Sequence, residues 1–343
     1  HRRLETLWSA AISLALLDHQ RADPVALTHL LESLEHGSTA QALRALAYEA
    51  GVLAGVGGGW LRRKSVAIQT QVHKLAEERG IPYERAWARL AVGSSAWFCG
   101  EWKKCVEACD RGAAIFREQC QGVSWEIATM EMFGLSAVGI MGDIDELERR
   151  VPAAIQAAEE RGDLFALNNS RLGEPSVLWL ARGQVGELRQ HAEKADRSMW
   201  KGGYHTHRYH YAFAVGQADL YDDDPWSCLS RLAEHWPGLK EARLLYLVWP
   251  QIEMRHLRAR ACLLAARHLR DGRTPPREHR RARYRELLRF VACEARDIAK
   301  RDIPPAPALA AVLRASLADL EGGPEHTLLR RAAAHAARSA DMK

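Results

Sequence analysis

Apolar residues recur along this chain at the three-and-four spacing of an amphipathic helix, beginning with Leu4, Leu7, Trp8, Ala11, Leu14, Ala15 and Leu17. Runs of that kind follow one another with glycine or proline between them. Three of the breaks are alike: Gly100-Glu101-Trp102, Gly142-Asp143-Ile144 and Gly183-Gln184-Val185. They are spaced by about 40 residues and each lies between two helix-length segments, so the unit that repeats is a helical hairpin. Asp223-Asp224-Pro225-Trp226 falls one more period on, as a degenerate fourth turn. In this register Trp102, Ile144, Val185 and Trp226 are equivalent, each the first buried residue of a returning helix.

Punctuation sets the remaining boundaries. Asp23-Pro24 predicts the start of a second helix running to Gly37, and Ser38 caps a third that ends at the cluster Gly55, Gly57, Gly58 and Gly59. Further helices are expected over 60–79, 83–99, 125–141, 163–181, 185–200, 204–221 and 225–236, with returning helices led by Trp102 and Ile144. Pro152 and Pro175 fall inside two of these segments and each removes a backbone hydrogen bond, which predicts a kink, above all at Pro175. A long apolar-periodic stretch covers 241–270, then helices over 277–300 and 306–320, the stop Gly322-Gly323-Pro324, and a last Ala/Arg/Leu-rich helix. The pattern adds up to an all-α chain of about fourteen helices in seven antiparallel hairpins, with no strand: a right-handed, tetratricopeptide-like (TPR-like) α-solenoid over 1–343. Such a stack grows by adding units, so its length forces no second domain.

Composition agrees with helix, being rich in Ala, Leu, Arg and Glu. Seven cysteines without framework spacing argue against a disulfide scaffold and suit a reducing cytoplasm. Cys105 and Cys109 share a helix face, but with no CxxC or paired His/Cys motif nearby they read as small apolar packing residues. The glycines before Lys64-Ser65 lack the glycine that must precede a phosphate-loop lysine, and no strand leads in. No cofactor is expected. No apolar run reaches the ~18 residues of a membrane span. The helical pattern is already running at His1, which predicts a piece of a longer multidomain chain.

Candidate binding residues lie in two clusters and a ridge. Asn168, Asn169 and Arg171 fall on an outgoing helix, the helix that lines the concave surface of such arrays, where amides and Arg can grip a peptide backbone or carboxylate. An internal hydrogen-bonded ladder is the competing account of the asparagines. The run Tyr204-His205-Thr206-His207-Arg208-Tyr209-His210-Tyr211 offers His205, His207 and Tyr211 to a polar and aromatic partner surface. As a metal site it is poor, since His205 and His207 would point about 200° apart on a helix and no carboxylate or cysteine completes the set. The charge is uneven: 15 Lys/Arg against 5 Asp/Glu between Arg255 and Arg301 give +10, so the remainder carries −5 of the total +5. Arg281, Arg285, Arg289 and Arg296 form a basic ridge opposite Tyr284, Leu288, Val291 and Ile298. Without interleaved aromatic residues or a reading motif, the ridge argues for a solvated face rather than nucleic acid.

Several stretches also resemble a known group: Gly122-Val123-Ser124-Trp125-Glu126, Arg149-Arg150-Val151-Pro152, Arg161-Gly162-Asp163-Leu164, Asn169-Ser170-Arg171, Asp219-Leu220-Tyr221 and His256-Leu257-Arg258-Ala259-Arg260. They are similar to the C-terminal tetratricopeptide-like region of large bacterial serine/threonine protein kinases of the myxobacterial type. In these a kinase domain is followed by an AAA-type, STAND-like ATPase module and a long helical array. The resemblance runs from near Leu4 to Met342, and Pro175 departs from it. It implies a regulatory arm that binds a protein or peptide, or the attached kinase and ATPase domains. The chain itself has no kinase glycine loop, HRD, DFG or Walker lysine motif, so no catalysis is expected of it. The alternative is the ligand- or partner-sensing repeat region of an ATPase-linked transcriptional regulator.

Overall fold

The structure, a computed structural model, describes residues 2–15, 17–322 and 326–342. Among the described residues the regular structure is all helical, without a strand. In order the helices are α1 (Arg2–Leu14), α2 (His19–His36), α3 (Thr39–Val56), α4 (Gly59–Arg79), α5 (Pro82–Cys99), α6 (Trp102–Gln119), α7 (Ser124–Met141), α8 (Ile144–Arg161) and α9 (Leu164–Arg171). There follow α10 (Val177–Ala181), α11 (Val185–Ser198), α12 (Thr206–Tyr221), α13 (Pro225–Glu241), α14 (Val248–Arg270), α15 (Tyr284–Ala299), α16 (Pro305–Glu321) and α17 (His326–Ser339). None is long and apolar enough to cross a membrane.

The four turns of the repeat share one geometry. Gly100, Gly142 and Gly183 have φ of 73°, 71° and 70°, and Asp223 takes the same left-handed conformation at 60°. At each, the next residue's N–H reaches back five residues to a carbonyl: Glu101 to Ala96, Asp143 to Val138, Gln184 to Trp179 and Asp224 to Asp219. This pairing satisfies carbonyls left open at a helix C-terminus, and glycine enters it without the penalty a Cβ incurs.

The returning helices keep register. Five residues after each turn residue stand Cys105, Leu147, Leu188 and Cys228, all 0% exposed. Nine residues after it stand Cys109, Val151, Ala192 and Leu232, likewise buried. Cys105 and Cys109 therefore hold the places that Leu147 and Val151 hold in the next hairpin, as small apolar fillers. Of the residues expected to be first buried, Trp102 and Trp226 are buried while Ile144 and Val185 are only partly so.

Several boundaries differ from the sequence expectation, and seventeen α-helices replace the expected fourteen. α2 begins at His19, because Asp18 accepts the Arg21 N–H and closes the first turn there, leaving Pro24 inside the helix. Pro152 and Pro237 are likewise carried within α8 and α13. At Pro175 the chain breaks outright rather than kinking. Gly173 turns left-handed at φ 66°, a 3-10 turn covers Glu174–Ser176, and α10 restarts the helix. α7 accommodates the break with Gly139, where a Cβ would lie 2.7 Å from the Glu174 carbonyl oxygen. The apolar run from Leu244 to Leu247 is a short strap, not α-helix. Arg243 at φ 56° ends α13, and a 3-10 turn, Leu244–Tyr246, leads into α14. Residues 277–283 are also outside any α-helix, drawn onto α13 by His279, which bonds Ser230 at 2.8 Å and packs its ring on Trp226. Gly323 and Pro324 of the last expected stop lie outside the described residues, while Gly322 closes α16 at φ 72°.

Consecutive helices pack in antiparallel pairs, and α3, α5, α7, α9, α12, α14 and α16 form an inner series that also pack on one another. α5, α7, α12 and α14 are buried nearly all round, as expected of helices covered on both sides. In a stack whose units touch only their neighbours, α14 would not reach α3 and α5, yet here it does. Trp249 of α14 meets Trp102 with ring centroids 4.8 Å apart, and one core joins Trp8, Leu43 and Trp87 to Ile298, Ala306 and Leu313. Gly100 makes room for the closure, since a Cβ there would lie 2.5 Å from Pro305.

Candidate functional site

The inner helices enclose two cavities separated by the strap. The larger, about 310 Å³, lies between α3, α5 and α7, with Tyr48, Trp87, Phe98, Trp125, Met132 and Phe133 among its walls. Trp87 and Trp125 stack across its floor, with centroids 6.4 Å apart and planes at 22°. Asp23 and Arg243 stand at the edge, and Tyr246, 72% exposed, stands beside them. Burial raises the Asp23 carboxyl above its usual range, and Arg243 opposes the shift. Burial also drives the Tyr48 hydroxyl well up, so it stays protonated. Apolar walls with a few polar groups at the mouth suit a ligand or a side chain with an apolar body.

On the other side of the strap a cavity of about 80 Å³ is lined by Asn169, Glu174, Tyr209 and His210. Here the residues expected to form an open surface are found buried. Asn168, Asn169 and Arg171 are 3%, 4% and 6% exposed. The Asn169 Oδ1 lies 3.0 Å from His207 Nε2, and Arg171 is tied to Glu159. His205 does not join the helix. It is the N-cap residue of α12, its Nε2 3.0 Å from the Trp200 carbonyl. That placement removes the opposed directions expected of a helical pair. The rings of His205, His207 and His210 follow one another at 6.0 and 6.2 Å. All three are lowered by burial, His207 to about 4 and His210 to about 3, with neighbouring imidazoles adding to the effect at His207 and His210. Tyr211 points away from this row, toward His235. Among the described residues no group of His, Cys, Asp and Glu is placed to hold a metal ion.

The break at Gly173 turns Glu174 into the interior, where it meets Glu253 of α14. Trp249 Nε1 donates to Glu174 Oε1 at 3.2 Å, and the Tyr209 hydroxyl donates to Glu253. Burial raises both carboxyls, Glu253 the further because Glu174 lies near. Two carboxyls this close in a dry site do not both ionise. The sequence pattern shows Glu253 only as a polar interruption of an apolar stripe, and Glu174 only as the residue between Gly173 and Pro175.

The basic ridge is partly realised. Arg285, Arg289 and Arg296 project from α15 into solvent opposite buried Leu288, Val291 and Ile298. Arg281 precedes the helix and is exposed in the turn before it.

Neither a known family, nor a curated protein, nor a solved structure matches this chain. The reading of its function therefore rests on its own residues.

Proposed function

We propose that the chain is a non-catalytic binding and regulatory module of a bacterial serine/threonine kinase signalling protein, a tetratricopeptide-like array that takes a protein or peptide partner by an apolar anchor side chain. The observation that carries this reading is the aromatic-walled cavity of about 310 Å³ between α3, α5 and α7. Interfaces concentrate their energy in anchors of this kind, seated in desolvated pockets. The repeated hairpins and the absent catalytic motifs support a scaffold role. Asn168, Asn169 and Arg171 then act from within, setting the shape of the inner wall.

The strap favours a second reading. Leu247 closes one side of the cavity, giving it a size that also suits a small apolar inducer, as in the repeat region of a STAND-type transcriptional regulator.

Selection of displayed random peptides on the immobilised chain, followed by fluorescence anisotropy, tests the proposal. Selected peptides should share an aromatic or large aliphatic anchor, and Val52→Trp, which fills the cavity, should weaken them at least about tenfold. Peptides without an anchor, or indifferent to Val52→Trp, would overturn it. Capture of apolar small molecules alone, sensitive to the same substitution, would select the second reading.

A further inference from the structure

A third cavity, of about 180 Å³, lies on the far side of Glu174 from the strap, between α7, α10, α12, α14 and α16. Its volume is that of roughly six water molecules in the liquid. Its polar lining has two signs. Glu174 and Glu253 stand in one part of the wall, and Gln217, His256 and Arg260 in another. Glu253, His256 and Arg260 lie along one face of α14, and the seven residues from Glu253 to Arg260 place their Cα positions roughly 10 Å apart along the axis.

The cationic end lacks a counter-charge. Other arginines beside buried carboxylates make ion pairs, as Arg258 does with Glu294 and Arg189 with Asp219. Arg260 has none among the described residues, and its one hydrogen bond goes to the neutral Gln217 Oε1 at 2.6 Å. His256 Nε2 is buried there without any partner. Burial drives the Arg260 guanidinium down and His256 to about 3, the latter helped by the Arg260 charge. Arg260 is only half-buried, but a largely desolvated charge left unpaired is costly, and a buried polar atom without a partner adds to that cost. A ligand carrying the opposite charges would relieve both ends at once.

We propose that this cavity binds a small zwitterion of the amino-acid type, its carboxylate held by Arg260, the Gln217 amide and His256, and its ammonium group by Glu174 and Glu253. Phe213, Leu257 and Trp249 supply the apolar wall for the body of the ligand. The module then has a metabolite-sensing input distinct from the aromatic cavity, which this inference does not need.

Calorimetry and thermal shift on the whole chain, with the standard free L-amino acids and 4-aminobutyrate as probes, provide the test. At least one probe should bind with Kd below about 1 mM, and its N-acetyl and carboxamide derivatives should bind at least about tenfold more weakly. Arg260→Met and Glu253→Gln should each cost at least about tenfold, while Val52→Trp leaves the affinity unchanged. Arg260→Met exchanges an unpaired cation for a neutral chain of similar length, so its circular dichroism should match the parent and its Tm should equal or exceed it. Should it fail to fold, His256→Phe tests the same end. No binding by any probe at about 10 mM, equal binding of the blocked derivatives, or indifference to these substitutions would overturn the proposal.

Discussion

Acid should destabilise this protein through histidines that it holds neutral, and His210 isolates the effect. Its ring is 7% exposed, lies against the Gly173 backbone, and its Nδ1 has no hydrogen-bond partner. Burial sets its pKa at about 3, with His207 and His205 contributing, against 6.5 in an open chain. The unfolded chain therefore takes up a proton on this residue over a range where the folded chain does not. Because the folded value is depressed, the stability is present above the unfolded pKa and lost as pH falls from about 6.5 toward 3. At 1.36 kcal/mol per unit, the fall from pH 7 to pH 5 removes about 2 kcal/mol through His210 alone. His210→Phe keeps the ring and deletes the titration. Urea unfolding at closely spaced pH values should show the parent's pH 7-to-5 loss exceeding the variant's by about 2 kcal/mol. At pH 7 the variant should equal the parent or gain, since an unsatisfied buried nitrogen is gone. The raised carboxyls Glu174 and Glu253 act in the opposite sense but are common to both proteins, so they cancel in the difference. Parallel pH profiles would refute the assignment.

Two further outcomes follow from the turns and the thiols. Gly100→Ala should cost more than Gly162→Ala in chemical denaturation, because both are left-handed but only at Gly100 does the new Cβ meet a neighbour, Pro305 at 2.5 Å. The Gly162 change should cost about 1 kcal/mol, the backbone penalty alone. In a thiol titration of the native protein Cys293, the exposed cysteine, should react first. Cys228 and Cys262, buried and pushed up to about 12, should react only on unfolding, and rapid modification of either would contradict the packing described.

The repeat was legible because its turns use residues with few substitutes. A left-handed helix end calls for glycine, and even Asp223, the degenerate member, keeps the geometry. Helix ends were less legible wherever tertiary contacts decided them. Pro24 reads as a start, but Asp18 caps earlier; 277–283 reads as helix, but His279 docks it on Trp226. The buried polar groups around the smaller cavity were legible only in part. Asn169 and His207 stood out in the sequence, though as surface groups, because helical spacing gives a residue's face and not what covers that face. Glu174 and Glu253 gave no local signal, and His256 and Arg260 stood out only as part of a resembling stretch, since the four converge from α14 and from a break whose direction depends on packing against Gly139.

The contact of α14 with α3 and α5 has a consequence for how the chain assembles. Open repeat arrays can fold from any unit outward and lose terminal units one at a time. Here Trp102 and Trp249 belong to one core although roughly 150 residues separate them along the chain, so closing that loop comes before the contact is made. Folding of such a chain is slow and cooperative. Truncation at either end removes part of a shared core, not a dispensable cap, and should destabilise the hairpins at the opposite end as well.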